Sequence, residues 1–561
     1  MTERYQAKHQ IRVVTAGSLF DGHDASINII RRLLQAGGAE VIHLGHNRSA
    51  LDVVTAAIQE DAQAIAVSSY QGGHMEFFQY MRKLLDERGA THVKIFGGGG
   101  GVIVPNEART LEANGIERIY SPEDGRRMGL LGIIDDLLLR CDYLPWEVAP
   151  IDVGELRQGN DSAIARAISL AESELENPGT LPPTLEQALK AHEGTTPIVG
   201  ITGTGGCGKS SLTDELLRRY LFDFPDHTVA VISVDPTRRR TGGALLGDRI
   251  RMNALDPQQV YMRSMATRRR KGELSGAINE AVAVCGLAGF DLIVVETSGI
   301  GQGDTDIVDL ADTKLYVMTP EYGAPSQLEK IDMLDFADLI SVNKFEKRGS
   351  MDALRDVRKQ VRRNRNQWEC GDDELPVYGT IASRFNDLGV TALYGAILDQ
   401  LGIDRPNREW PALPFSPPRR AVIDPSRERY LAEISTVVKE YRQNAEEQIT
   451  AARRQQRLAD TLAEVVGTPA EPVIRQKLDE APMDKSCSSY LEGWDDKVSS
   501  YKADEFVYCV RGREIRQPLY SESLARQPIP RVAVPNFTDH GEILRFGLLE
   551  GLPGEYPFTA G

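Results

Sequence analysis

A glycine-rich loop, GTGGCGKS at residues 203–210, constrains the fold of this chain more than any other feature. The apolar run IVGIT precedes it and the helix-forming stretch SLTDELLRRY follows it, which is the strand–turn–helix context of a phosphate-binding loop. The glycines let successive backbone N–H groups face phosphate oxygens, and the helix N-terminus adds its dipole. The sequence therefore predicts an α/β domain with a parallel sheet that binds a nucleoside triphosphate and magnesium.

Within this loop, Lys209 is expected to reach the terminal phosphates and to act in catalysis, and Ser210 is expected to ligate magnesium. The alternative is a glycine-rich turn that binds nothing, which the flanking strand and helix make improbable. The residues predicted to contact the nucleotide here are Gly203, Thr204, Gly205, Gly206, Cys207, Gly208, Lys209, Ser210 and Ser211.

Three carboxylates downstream are candidates for the metal site. Glu296 ends the apolar run DLIVVE and is followed by TSGIGQGD, so it is predicted to hold magnesium and assist hydrolysis while the glycine-rich segment senses the γ-phosphate. Asp235 ends VAVISVD, and Asp248 lies in GALLGDRIRM three residues before Arg251. Both carboxylates are predicted to complete the metal shell and the arginine to contact phosphate. For Asp248 and Arg251 the alternative is a solvated helix face.

The base-binding residues are predicted after the strand DLISV. Asn343, Lys344 and Glu346 match the arrangement N-K-x-D, in which a carboxylate accepts hydrogen bonds from guanine N1 and N2 and the lysine packs on the ring. Adenine lacks that pair of donors, so GTP is the predicted nucleotide, although Glu346 is one methylene longer than the usual Asp. Ser383, after the strand PVYGTI, is predicted to lie in the loop behind the base.

The first 120 residues alternate strand-like runs with amphipathic stretches: IRVVTA, EVIHLG, AIAVSS, VKIFGG and IERIY are the strands. This alternation of strands and helices predicts a doubly wound parallel sheet, in which ligands bind beyond the carboxyl ends of the strands. Polar and small residues follow successive strands there and leave a slot between strand ends and helices. These residues are Asp21, His23, Ser68, Tyr70, Gly97 and Gly98.

Two resemblances sharpen these predictions. GITGTGGCGKSSL, SVDPTRRRTGGALLGDRIRM and VVETSGIGQGD resemble the metallochaperone GTPases that assist cobalamin-dependent acyl-CoA mutases, which implies GTP turnover that gates cofactor loading. The D-x-H pattern is similar to that of flavodoxin-like cobalamin domains, which implies that His23 is the lower cobalt ligand and that Asp21 accepts its Nδ1–H. Ser26 stands where that pattern ends in Gly, and Tyr70 where it has Leu. The alternative is a set of glycine-rich sheet turns.

The order of these parts resembles that of the fused isobutyryl-CoA mutases. The predicted domains are a cobalamin-binding domain (1–145), a linker (146–196), a P-loop GTPase domain (197–415), a helical linker (416–515) and the start of a TIM-barrel substrate domain (516–561). RQPLYSESL and LPGEYPFTAG resemble the opening of that barrel. The resemblance implies an adenosylcobalamin-dependent radical isomerase that interconverts isobutyryl-CoA and n-butyryl-CoA. The barrel residues that contact substrate would follow Gly561, so the chain is expected to be part of a longer polypeptide.

Two other functions use the same parts: a non-catalytic cobalamin carrier with a GTPase that serves a separate mutase, and a corrinoid methyl-transfer protein, which the GTPase disfavours. By resemblance, the expected partners are an acyl-CoA substrate, an adenosyltransferase and a second copy in a homodimer. A formal charge of -16 argues against a nucleic-acid partner. No apolar run is long enough to span a membrane, and six scattered cysteines fit a reducing cytoplasm.

Overall fold

The computed structural model describes residues 4–550 except 24, 193, 195, 238–240, 269–275, 298–306, 323–327, 330, 418–429, 482, 511 and 533; the side chains of residues 248, 430, 431, 510 and 550 are likewise not described. The chain divides into two compact units, Met1–Pro418 and Arg419–Gly561. No helix in the described ranges is both long and apolar enough to cross a bilayer.

The first unit contains two parallel sheets. Its strands are β1 (Arg12–Ser18), β2 (Glu40–Arg48), β3 (Ala64–Ser68), β4 (Lys94–Gly98), β5 (Arg118–Tyr120), β6 (Ile198–Gly203), β7 (Val229–Asp235), β8 (Ala244–Leu246), β9 (Val260–Ala266), β10 (Leu292–Glu296), β11 (Thr313–Met318), β12 (Leu339–Asn343) and β13 (Val377–Thr380). The first sheet has the order β5-β4-β3-β1-β2-β8 and the second β13-β12-β11-β6-β10-β7-β9. The strands are Val- and Ile-rich because helices cover both faces, and β1 and β3 are buried along their whole length.

Helices cover the first sheet and continue through the segment predicted as a linker. They are α1 (Ala25–Ala36), α2 (Ala50–Gln59), α3 (His74–Glu87), α4 (Pro105–Ala113), α5 (Pro122–Cys141), α6 (Pro145–Val148), α7 (Val153–Arg157), α8 (Asp161–Glu176) and α9 (Pro183–Ala191). Residues 146–196 are therefore largely helical, and α8 buries Ile164 and Ile168 in the hydrophobic core on one face of the second sheet.

The second sheet carries α10 (Lys209–Asp223), α11 (Ile278–Leu287), α12 (Met333–Phe336), α13 (Ser350–Asn364) and α14 (Leu388–Gln400), with short 3-10 turns at Asp248–Arg251 and Pro320–Tyr322. Both sheets follow the predicted doubly wound α/β pattern. The exception is β8, which lies in the second sheet's stretch of sequence but pairs with β2 of the first sheet.

The second unit begins with a 35-residue helix, α15 (Tyr430–Glu464), in the charged stretch where exposed linker helices are predicted. It continues with α16 (Glu471–Asp479), α17 (Lys485–Glu492), α18 (Trp494–Lys502), β14 (Glu505–Val510), β15 (Arg513–Pro518), β16 (Tyr520–Glu522), β17 (Pro528–Pro530) and α19 (His540–Arg545). Its core is small and includes Ile449, Cys487 and Leu544. The stretch LPGEYPFTAG, which resembles the start of a substrate barrel, lies outside the described residues.

Candidate functional site

The loop between β6 and α10 has a backbone that only glycine fits at two points. Gly203 has a φ of 147°, and a Cβ there would lie 1.9 Å from the carbonyl oxygen of Val317. Gly208 has a φ of 94° and directly precedes α10, where a Cβ would lie 2.7 Å from Nδ2 of Asn343. The strand, the tight turn and the helix N-terminus predicted from the sequence are therefore all present.

The residues predicted to hold phosphate and magnesium come together at this loop. Lys209 Nζ donates a hydrogen bond of 3.0 Å to the carbonyl oxygen of Gly203 across the loop. Ser210 Oγ donates to Glu296 Oε1 at 2.8 Å, and Glu296 is buried at the end of β10. A hydroxyl and a carboxylate at one point are oxygen ligands of the kind that magnesium prefers.

Thr213 belongs to the same cluster and was not predicted. Its Oγ1 lies 3.2 Å from Glu296 Oε2 and 3.1 Å from the carbonyl oxygen of Lys209, so its one hydroxyl hydrogen is shared between these two acceptors. The two carboxylate oxygens of Glu296 thus face two different hydroxyl groups. Thr213 lies three residues after Ser210, on the same face of α10, and this spacing is the signal that could have identified it.

For the other residues predicted to bind metal or phosphate, the described contacts are with groups other than Ser210 and Glu296. Asp235 ends β7, and its Oδ2 accepts a hydrogen bond of 3.1 Å from the backbone N–H of Gly247. The side chain of Asp248 and the segment 298–304 lie outside the described residues. Arg251 is exposed and lines a cavity of about 300 Å³ together with Ser211 and Ser383. The stretch around Asp248 is not a solvated α-helix: it forms β8 and a 3-10 turn.

The predicted base-binding residues lie at the end of β12, beside the loop. Asn343 is buried; its Nδ2 donates to the carbonyl oxygen of Cys207 at 2.8 Å and its Oδ1 accepts from the Ala382 N–H at 3.1 Å. Lys344 Nζ donates to the carbonyl oxygen of Gly206 at 2.7 Å. Glu346 is exposed at the following turn. Asn343 thus ties the phosphate loop to the loop that contains Ser383, a structural role that the sequence pattern does not reveal.

A second site lies at the carboxyl edge of the first sheet, where Asp21 and His23 follow β1. Asp21 Oδ1 accepts from the His23 backbone N–H at 2.9 Å and lies 2.9 Å from His23 Nδ1, and Oδ2 accepts from the Tyr70 N–H at 2.6 Å. Burial acts to raise the pKa of Asp21, but the hydrogen bonds from Tyr70 and His23 outweigh it and hold that pKa below its ordinary value.

The orientation of His23 suits a metal ligand. The bond from Nδ1 to an ionised carboxylate fixes the tautomer with the proton on Nδ1 and leaves Nε2 as the free lone pair. The His23 side chain is 66% exposed, so Nε2 is accessible from outside the domain. The Asp21 and His23 pair predicted from the sequence therefore has the geometry that the cobalt-ligand hypothesis requires.

A cavity of about 360 Å³ opens between α1, α5 and the ends of β3 and β4. Its lining is mostly apolar, with Ser68 as a polar group, and Ser68 Oγ is buried without a hydrogen-bond partner among the described residues. Gly97 and Gly98 line it as predicted, and Gly99 and Gly100 extend it. A Cβ at Gly99 would lie 2.0 Å from the carbonyl oxygen of Ser69, so the chain there requires glycine. An aromatic base with one hydrogen-bonding nitrogen fits this lining.

Residues 164–477 match the family model described as methylmalonyl-CoA mutase-associated GTPase MeaB, and residues 11–121 match the B12 binding domain. The fused isobutyryl-CoA mutase of Geobacillus kaustophilus is 50% identical over 575 residues, covering 100% of this chain and 53% of that protein. That of Cupriavidus metallidurans is 50% identical over 565 residues, covering 99% and 51%. A putative GTPase of Pyrococcus horikoshii is 37% identical over 238 residues, covering 42% and 73%. The chain thus spans about half the length of the two fused mutases.

Proposed function

Since the chain belongs to the family of methylmalonyl-CoA mutase-associated GTPases, we propose that it hydrolyses GTP and uses its nucleotide state to control cobalamin loading in its own first domain. The nucleotide site then comprises Lys209, Ser210, Glu296 and the loop around them. The cobalamin site comprises Asp21, His23 and the cavity behind Ser68.

The observation that carries this proposal is strand β8. It follows Asp235, a predicted metal ligand, and precedes Arg251, which lines the cavity beside the phosphate loop. Yet β8 pairs with β2 of the cobalamin sheet, with Leu245 opposite Val41. One segment of chain is therefore a part of the nucleotide site and an edge strand of the cofactor domain.

The residues after β8 pack tightly on the first sheet as well. A Cβ at Gly45 would lie 2.6 Å from Ile250 Cδ1, so the 3-10 turn rests directly on the backbone of β2. Arg48 Nη2 donates to the carbonyl oxygen of Ile250 at 3.3 Å. A displacement of this segment on GTP binding or hydrolysis would therefore also shift β2, because packed interfaces switch between discrete arrangements rather than deform smoothly.

The residues of the chain divide the work as follows. Lys209 neutralises the terminal phosphates, and Ser210 and Glu296 hold magnesium at the phosphate oxygens. His23 would hold cobalt through Nε2, and Asp21 would fix the tautomer of His23. Bound adenosylcobalamin would supply radical chemistry, and the residues of this chain would anchor and orient it.

The relatives support a proposal for the reaction of the whole protein. The two fused isobutyryl-CoA mutases match nearly all of this chain at 50% identity, which supports interconversion of isobutyryl-CoA and n-butyryl-CoA by the complete polypeptide. The acyl-CoA substrate, a homodimeric assembly, delivery of the cofactor by an adenosyltransferase and a cytoplasmic location belong to the same proposal.

The direct test is Lys209→Ala. We expect GTP hydrolysis to fall at least ~100-fold, as when other preorganised groups that stabilise transition-state charge are removed, while cobalamin still binds to the first domain. Lys190→Ala is the matched control, because Lys190 is 74% exposed on α9 and pairs with Glu186 at the surface. Equal hydrolysis rates in the parent and in Lys209→Ala would refute the nucleotide site.

A further inference from the structure

Two residues that depart from the usual cobalamin pattern contact each other. Ser26 lies in the first turn of α1, and Tyr70 follows β3. Ser26 Oγ and Tyr70 OH are 2.5 Å apart, a short hydrogen bond between side chains that are both partly buried. A Gly and a Leu at these positions could not form this bond, so the two departures amount to one structural feature.

The bond lies at the cavity and close to His23. Ser26 and Tyr70 both line the cavity, and the ring of Tyr70 lies 5.5 Å from the ring of His23. The backbone N–H of Tyr70 also bonds to Asp21, which orients His23. The Ser26–Tyr70 pair therefore lies beside both the cavity and the Asp21–His23 pair.

The glycine loop after β4 supports the ring of Tyr70 from the other side. Gly100 has a φ of 56°, and a Cβ there would lie 2.4 Å from Tyr70 Cε1. The absence of a side chain at Gly100 lets the ring pack directly against the loop. Tyr70 thus contacts the loop after β4 through its ring and Ser26 of α1 through its hydroxyl.

We propose that the Ser26–Tyr70 hydrogen bond is a latch that closes the slot for the nucleotide tail of cobalamin and has to open before the tail enters. This inference rests on the proposed cobalamin site and names the residues that control entry to it. The latch acts on the tail alone, because the corrin ring binds outside the slot, at His23.

The test is the rate of corrinoid association, followed by stopped-flow absorbance, for the parent chain, Ser26→Ala, Tyr70→Phe and the double variant. We expect the association rate constant for hydroxocobalamin to rise ~3–10-fold in each single variant, which corresponds to the loss of one hydrogen bond from the closed state. The double variant should be no faster than the single variants, because each of them already removes the whole bond.

Cobinamide, a corrinoid without the nucleotide tail, is the matched ligand control, and its association rate should be the same in all four proteins. Tyr80→Phe, at a half-exposed tyrosine on α3, is the matched protein control. Three results would refute the latch. The first is that hydroxocobalamin associates with the single variants no faster than with the parent, and the second is a higher association rate constant for the double variant than for either single variant. The third is an equal increase in the association rate constant for cobinamide. Failure of the parent chain to bind either corrinoid would instead refute the cobalamin site itself.

Discussion

At the scale of single residues, Glu296 joins two hydroxyl groups at the proposed nucleotide site. Its carboxylate is buried at the end of β10 and holds Ser210 through one oxygen and Thr213 through the other. Because each carboxylate oxygen has a donor, the orientation of the group is fixed before any ligand binds. Such preorganisation is what makes a magnesium ligand effective, since the site does not reorganise on binding.

Thr213→Val tests this role of the second hydroxyl. Valine has the shape of threonine but donates no hydrogen bond, so Glu296 Oε2 loses the hydrogen bond from the Thr213 hydroxyl. We expect the magnesium concentration for half-maximal GTP hydrolysis to rise ~10–100-fold, the range found when partners of metal ligands are removed. Thr213→Ser keeps the hydroxyl and should retain parental magnesium dependence. An unchanged magnesium requirement in Thr213→Val would show that the second bond is structural only.

At the scale of elements, a buried cluster of charges joins the two sheets. Glu40, at the start of β2, lies 2.9 Å from Arg12 Nε on β1 and 2.8 Å from Arg268 Nε, just after β9. Glu172 on α8 accepts hydrogen bonds from Arg12 and, at 2.8 Å, from Arg263. Burial acts to raise the pKa of Glu40, but Arg268 and Arg12 outweigh it and hold that pKa well below its ordinary value.

The sign of the resulting pH dependence follows from these lowered pKa values. A carboxylate whose pKa is lower in the folded state contributes stability above its unfolded pKa, and loses it as the pH falls through the folded pKa. The free energy of unfolding should therefore decrease between about pH 5 and pH 2. Urea unfolding across this range measures the effect.

Glu40→Gln should cost up to ~3–5 kcal/mol at pH 7, since Arg12 and Arg268 each lose their shortest carboxylate contact and keep only longer contacts with other buried carboxylates. It should also reduce the loss of unfolding free energy between about pH 5 and pH 2. The control is Glu186→Gln, at a half-exposed residue that pairs with the exposed Lys190. It should change the free energy of unfolding by less than ~1 kcal/mol. If the free energy of unfolding of Glu40→Gln fell between about pH 5 and pH 2 as much as that of the parent, the buried cluster would not be the cause of the pH dependence.

Most elements of the two sheets could be predicted because their strands are continuous apolar runs and their helices are amphipathic. β8 could not be: it is three residues long, and its partner Val41 is about 200 residues away in the sequence. At the sites, the phosphate loop and the Asp21–His23 pair follow from local spacing. The spacing of Thr213 from Ser210 places it on the same helix face, but the bond from Thr213 to Glu296 and the contacts of Asn343 with two loops join separate elements, which the local sequence does not specify.

At the scale of the whole molecule, both sites lie in the unit Met1–Pro418. They are at the carboxyl edges of two different sheets. Strand β8 pairs with the first sheet, although in the sequence it lies between β7 and β9 of the second sheet. The pairing of β8 with β2 links the stretch of sequence between the predicted nucleotide-site residues Asp235 and Arg251 to the first sheet. We therefore expect GTP and cobalamin binding to be thermodynamically coupled.

The measurement that tests this claim most directly is the Kd of cobalamin for this chain with Mg-GDP and with Mg bound to a non-hydrolysable GTP analogue. Coupled sites should give Kd values that differ by about 5–150-fold, and cobalamin should change the relative affinity for the two nucleotides by the same factor. Identical cobalamin Kd values with both nucleotides, at saturating occupancy of the GTP site, would contradict the account.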